Sequence, residues 1–396
     1  MGLIAVGNGL LFAYVPVKLA AEGFAPWVAG AVITGLAVGS LGGCLFTGML
    51  VRRVGHARVF ASFGASVILS VLLIALETEP LLWIASRGLY GFSMAGLFIV
   101  SQSWLNDACE NEWRGKVIAA FYMTYIVAIG LGGFLLRFID LESQQAPLLG
   151  IFFAALAILP VGLTRLRTPP PPESVSVALR TVWRISPAGL VGLLAVGGLT
   201  MLVQGFAPIY AAAEGYSKED IALLLFLMQF GMIGVQLPLG ALSDRIDRRL
   251  VLILASVIVV VGAAVATQMS GADLVWLILV FAVWSGATES IYAVANAHAN
   301  DRAEPQYYVS LSSTLLVAWS VSGIVLPALA TALTESLGTR AFMMVAMAVA
   351  AAYAAFVAWR MVRREPTPEA AQEPYQAISA QVPHTAELAP QPQDDV

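Results

Sequence analysis

The stretch PVKLAAEGF (Pro16–Phe24) returns in altered form as PIYAAAEGY (Pro208–Tyr216), 192 residues further on. Each copy closes an apolar run with small residues, a glutamate, a glycine and an aromatic. Carrying the same offset forward without a gap sets Gly39, Gly42, Gly48, Leu50 and Arg53 on Gly231, Gly234, Gly240, Leu242 and Arg245. A second correspondence, offset by 194, sets Asn106, Asp107 and Glu110 on Asn300, Asp301 and Glu304. One structural unit has been written twice.

Composition says what surrounds that unit. With 59% hydrophobic and 12% charged residues and a mean hydropathy of +0.81, the chain cannot cover itself with polar surface, so its exterior faces lipid. Apolar runs of the roughly 20 residues needed to cross a bilayer core about 30 Å thick occur twelve times. They fall near 2–21, 28–50, 59–77, 81–104, 117–136, 146–164, 188–210, 221–242, 250–269, 274–297, 309–333 and 341–361. The runs are too long and too continuous for barrel strands, and an open sheet would leave backbone groups unsatisfied in lipid. The reading is an all-α membrane protein with twelve transmembrane helices in two pseudo-symmetric six-helix bundles, related by an axis along the membrane normal.

Lysine and arginine set the orientation. Sixteen of them, from Arg52 to Arg364, fall in connections on one side, whereas the other side has Arg137, Lys218 and Arg340. The arginine-rich side is expected to be cytoplasmic, in the inner or plasma membrane, with both termini inside. Because the first run starts at Met1 with no basic lead, the natural start is expected to lie upstream. The same ending recurs mid-chain, which argues against reading the first run as a cleaved signal peptide.

The seam is legible as well. Residues 1–164 form the first bundle, and 188–364 the second. Between them 165–187 make a polar linker with four consecutive prolines, which forbid a continuing helix. Residues 365–396, rich in Pro, Gln, Ala and Glu, read as a disordered cytoplasmic tail.

The loop GALSDRIDRR (Gly240–Arg249) resembles the Gly-x-Leu-x-Asp-Arg-x-Gly-Arg-Arg signature of the major facilitator superfamily, with Asp247 where a glycine is usual. The first-half loop GMLVRRVGHAR (Gly48–Arg58) keeps the glycines, the leucine and Arg53 but has Arg52 in place of the aspartate. SQSWLND, RGKV and ESIYAVANAHANDR look similar to the YcaD-like branch of the superfamily, which often has Glu where Gln102 stands here. The resemblance implies a cytoplasmic gate of Arg53, Asp244, Arg245 and Arg248. In that gate Asp244 would hold the N-terminus of the fifth span, a contact worth about 0.3–1 kcal/mol. Arg52 carries the wrong charge for that role, so the latch is expected on one side of the pseudo-symmetry axis alone. The loops would otherwise serve as positive anchors.

Within the spans two ionisable residues stand out, Arg87 in the fourth and Glu289 in the tenth. A charge at mid-membrane costs roughly 3 kcal/mol on insertion scales and is usually kept for a function. Arg87 opens RGLYG, similar to the superfamily's Arg-x-x-x-Gly pattern. Ser285, Glu289, Tyr292 and Asn296 recur at helical spacing as one polar stripe. Counting along the helices puts Arg87 about 9 Å and Glu289 about 22 Å below the outer surface at 1.5 Å per residue, so a direct pair is not expected. Proton exchange, substrate hydrogen bonding and an interhelical contact all stay open for Glu289. The resemblance makes Asn8, Arg87, Gln204 and Glu289 the substrate-facing set, with Gln229, Tyr292 and Asn296 along the same pathway. For Asn8 and Gln204 a helix–helix hydrogen bond worth about 0.6 kcal/mol is the alternative. Gly130, Gly132 and Gly133 in the fifth span read either as close packing or as bending points.

Other classes fare poorly. Cys44 and Cys109 match no disulfide or metal spacing, and the three histidines form no metal or catalytic pattern. No phosphate-binding Gly-x-x-x-x-Gly-Lys loop occurs. The chain is therefore read as no enzyme, with no cofactor, no metal and no nucleic acid. It is expected to be a monomeric secondary active transporter for a small organic or amphipathic molecule, working by alternating access with proton coupling. A facilitator without ion coupling and a transport-inactive sensor on a carrier fold remain the alternatives.

Overall fold

The computed structural model describes residues 1–109, 111–164, 169, 176–363, 375 and 378. Glu110, most of the linker and most of the tail lie outside the described residues, as do the side chains of Asn106 and Arg114. The first bundle contains α1 (Gly2–Ala21), α2 (Pro26–Val54), α3 (His56–Leu76), α4 (Pro80–Ala108), α5 (Asn111–Leu135) and α6 (Gln145–Leu163). A short linker helix, α7 (Leu179–Ile185), leads to α8 (Pro187–Thr200) and α9 (Ala207–Ala213), which together make the seventh span. The second bundle continues with α10 (Lys218–Ser243), α11 (Arg248–Ala266), α12 (Leu274–Asn300), α13 (Tyr308–Leu337) and α14 (Arg340–Arg363). Among the described residues, twelve helical segments are long and apolar enough to cross a membrane.

Local chemistry explains where these helices start and stop. Proline opens α2, α4 and α8, at a position where its missing N–H is not needed. Ser217 and Asp220 form a reciprocal capping box at the start of α10, which satisfies two orphan donors. The repeated stretch is itself a helix stop. Gly23 has φ +78° and Gly215 has φ +83°, the left-handed conformation that glycine adopts without a Cβ penalty. Behind them Phe24 N–H donates to Leu19 O and Tyr216 N–H to Ala211 O, closing both helices in the same way.

The seventh span departs from the continuous helix expected over 188–210. Met201–Gly205 form a π-helical turn between α8 and α9. Pro208 has no N–H to return to the Gln204 carbonyl four residues back, so the regular ladder is broken there.

The two halves repeat their packing: α2 lies on α4 as α10 lies on α12, α1 on α5 as α8 on α13, and α3 on α6 as α11 on α14. Glycines bring the helices close. A Cβ placed on Gly39 would lie 1.8 Å from the Gly88 carbonyl oxygen, and one on Gly132 would lie 2.0 Å from that of Val6. Gly132 therefore packs α5 on α1, while Gly130 and Gly133 face Gln229 and Leu225 of α10 across the interface between the halves. On the outside Leu69, Phe138, Leu163 and Val275 are more than half exposed, which in water would be unfavourable and in lipid is not.

Cross-bundle contacts run through α2 with α13, α5 with α10, and α1 with α9. Those that can be placed lie near the arginine-poor ends. Gly30 faces Thr331, the Phe134 and Phe226 rings are 5.0 Å apart, and Lys218 Nζ donates to the Ile139 carbonyl.

Candidate transport cavity

Between the halves lies a cavity of about 110 Å³. The first half contributes Asn8, Tyr90 and Tyr125, and the second half Gln204, Gln229 and Trp319. None of its lining residues is Asp, Glu, Lys or Arg.

The amides are held by their neighbours. Asn8 Nδ2 donates to the Tyr125 hydroxyl at 3.1 Å. Gln229 Nε2 donates to Gln204 Oε1 at 3.1 Å, and Gln204 Nε2 donates to Ser285 Oγ at 2.6 Å. This chain of donors links α10, the π-helical turn and α12, and it fixes which atom of each amide points where. Gln204 reaches both partners because the π turn offsets it from the regular helical ladder; such turns recur at functional sites. Hydrogen-bonding heads set among aromatic faces suit an uncharged or amphipathic molecule.

Of the seven expected pathway residues, Asn8, Gln204 and Gln229 meet at this cavity. Arg87 is buried beside it rather than in it. Its Nη2 donates to the Leu11 carbonyl at 2.6 Å and its guanidinium lies 5.0 Å from the centroid of the Tyr90 ring, so Tyr90 meets the cavity in its place. Arg87 instead lines a smaller adjoining cavity of about 20 Å³ that shares Phe12 and Leu36 with this one. Glu289, 1% exposed, and Tyr292, 3% exposed, sit in α12 away from this lining, and Asn296 Nδ2 turns back to the Tyr292 carbonyl. Tyr292 has Tyr122, Glu289 and Cys44 as electrostatic neighbours, so the stripe does border the first half. Tyr90 and Trp319 line the cavity too, and neither is marked by the sequence, because aromatic side chains in apolar helices carry no spacing signal that separates lining from packing.

The expected gate residues differ in burial. Arg53 and Arg245 are exposed, whereas Arg248 is buried and its Nε lies 2.8 Å from Asp301 Oδ2. The duplication places His56 at the position of Arg248 and Asp107 at that of Asp301, yet His56 Nε2 lies 3.0 Å from Ser103 Oγ instead. An ion pair in one half thus corresponds to a hydrogen-bonded histidine in the other. Asp247 caps α11 through the Arg249 N–H at 3.0 Å and pairs with the Arg249 guanidinium at 2.6 Å. Burial opposes ionisation of Asp247, but the hydrogen bonds from Arg249 outweigh it and hold the carboxyl below its ordinary 3.8. Asp244 is exposed, and its Oδ1 accepts the Tyr375 N–H at 2.9 Å.

Twelve spans in two matching halves around one shared cavity define a membrane transporter. The chain belongs to the Major Facilitator Superfamily, whose family model matches residues 1–217 and 188–390. It is 26% identical over 344 residues to the uncharacterized MFS-type transporter YcaD of Escherichia coli, covering 84% of this chain and 87% of that protein. The YcaD of Salmonella newport is 27% identical over 342 residues with the same coverage. Among solved structures, a variant of the nucleoside transporter NupG superposes with TM-score 0.73 at 12% identity, covering 91% of this chain and 97% of that one. The human organic anion transporter MFSD10 gives 0.61 at 16%, covering 90% and 96%. The protein is thus a multi-pass membrane transporter with a small-molecule substrate, and not an enzyme.

Proposed function

We propose that the chain is an alternating-access carrier of a small uncharged or amphipathic organic solute, coupled to protons through Glu289. The observation that carries this reading is the cavity itself: amides and aromatics from both halves converge on it, and no lining residue is charged. A solute held by Asn8 on one side and by Gln204 and Gln229 on the other bridges the two bundles, so its binding energy favours their moving together. Glu289 is the one buried carboxylate inside a span among the described residues, and buried carboxylates are kept in membranes chiefly for ion or proton handling. The arginine-rich face is assigned to the cytoplasm, with Asp244 as the latch that forms when that face closes.

A thermal-shift screen of purified protein against uncharged heterocycles and amphiphiles tests the cavity. A solute at about 100 times its dissociation constant stabilises the folded state by about 2.7 kcal/mol, and Gln204→Leu should abolish the shift for that solute. In proteoliposomes, uptake or release of the same solute should respond to an imposed pH gradient, and Glu289→Gln should remove the response while leaving downhill exchange. An equally pH-sensitive Glu289→Gln protein overturns the coupling. Binding without flux would favour a sensor instead.

A further inference from the structure

Two residues far beyond the last helix are seated where the halves part. Tyr375 N–H donates to Asp244 Oδ1 at 2.9 Å, and Gln236 Nε2 donates to the Ile378 carbonyl at 2.7 Å. The Tyr375 ring lies directly on Gly240: a Cβ there would sit 2.2 Å from its Cε1. Ile378 packs against the buried clusters of both halves. Glu289, Asp244 and Arg248 are the electrostatic neighbours of the Tyr375 side chain.

We propose that Tyr375 and Ile378, from beyond the last helix of the same chain, plug the arginine-rich mouth between the bundles and hold it from closing. The two residues can reach. Eleven residues lie between Arg363, the end of α14, and Tyr375, and the twelve steps of an extended chain span at most about 43 Å at about 3.6 Å each. The hydrogen bonds match a peptide backbone, because Asp244 takes an N–H and Gln236 gives one to a carbonyl.

Two consequences follow from the position. Asp244 is the residue assigned above to latch the fifth span when this face closes, so Tyr375 occupies the latch as well as the opening. Ile378 touches both halves, so they cannot come together there while it remains. Closure therefore requires the two residues to leave, and the carrier is held in one state until they do. This inference rests on the carrier reading for its consequence, but the seating can be measured without any transport.

The test uses full-length protein in nanodiscs with Cys44→Ala and Cys109→Ser. Gln236→Cys with Ile378→Cys should cross-link with a short bis-maleimide, and Gly240→Ala in the same background should suppress the cross-link by displacing the Tyr375 ring. A cross-link no more frequent than between Gln236→Cys and Val396→Cys would overturn the seating and leave the carrier reading standing. Spin labels at Val54→Cys and Ile246→Cys, equivalent positions of the two halves on this face, then report closure. Full-length protein should give one long distance. A chain ending at Arg364, and separately Ile378→Asp, should raise the shorter-distance population about 5–150-fold, the usual range for coupling between two sites. Unchanged distances in both variants, with the cross-link present, would overturn the plug.

Discussion

At the scale of single residues, the polar groups of this chain are placed by what they can bond to rather than by their distance along a helix. Arg87 and Glu289 both sit at membrane depth, yet neither lines the cavity where three amides meet. The arginine's Nη2 donates to the Leu11 carbonyl and its guanidinium lies by the Tyr90 ring, contacts that favour a buried cation, while Nη1 has no hydrogen-bond partner among the described residues. The Arg248–Asp301 pair shows the same logic, with side-chain exposures of 2% and 1%. Removing one partner strands a buried charge at a cost of about 3–5 kcal/mol, whereas replacing both with apolar residues is often neutral. Arg248→Met and Asp301→Asn should each lower the thermal midpoint markedly, and Arg248→Met with Asp301→Leu should recover most of the loss.

At the scale of elements, the ends and crossings of the helices carry the testable energetics. Gly215 ends α9 with a left-handed turn, so Gly215→Ala should cost about 1–2 kcal/mol. The equivalent Gly23→Ala should cost the same if the duplication is also energetic. Thermal melts of the two variants make that comparison. At the start of α11 the depressed Asp247 carboxyl contributes stability that is fully present above its ordinary 3.8 and is lost as pH falls through the lower folded value. Melting between about pH 5 and about pH 3 should therefore show a steeper loss for the parent protein than for Asp247→Asn. The break in the seventh span belongs to this scale too. Pro208 is visible in the sequence, but Pro16 stands at the equivalent place in α1, which stays regular through it. Proline alone therefore did not announce the π turn; the packing of Gln204 against Ser285 and Gln229 accompanies it in one half and has no counterpart at Phe12 in the other.

At the scale of the whole molecule, topology is the first thing to measure. Single cysteines at Ala25 and Ser217 should react with an impermeant maleimide from the same side of the membrane, and cysteines at Val54 and Ile246 from the other. Labelling of Ala25 and Ser217 from opposite sides would break the parallel duplication. The number of spans, their grouping into two like-oriented halves and the family were legible along the chain, because a lipid environment demands long apolar helices and the duplication leaves its offset at three pairs of helix ends and loops. The sequence also marked Asn8, Gln204 and Gln229 as polar residues in apolar surroundings. Only the tertiary structure decided that these three share one cavity, that Arg87 stands behind Tyr90, and that Tyr375 and Ile378 return to the mouth. The reason is physical: hydropathy and period report the solvent around each helix, whereas a shared cavity depends on the rotation of several helices against one another, which no single stretch of sequence encodes.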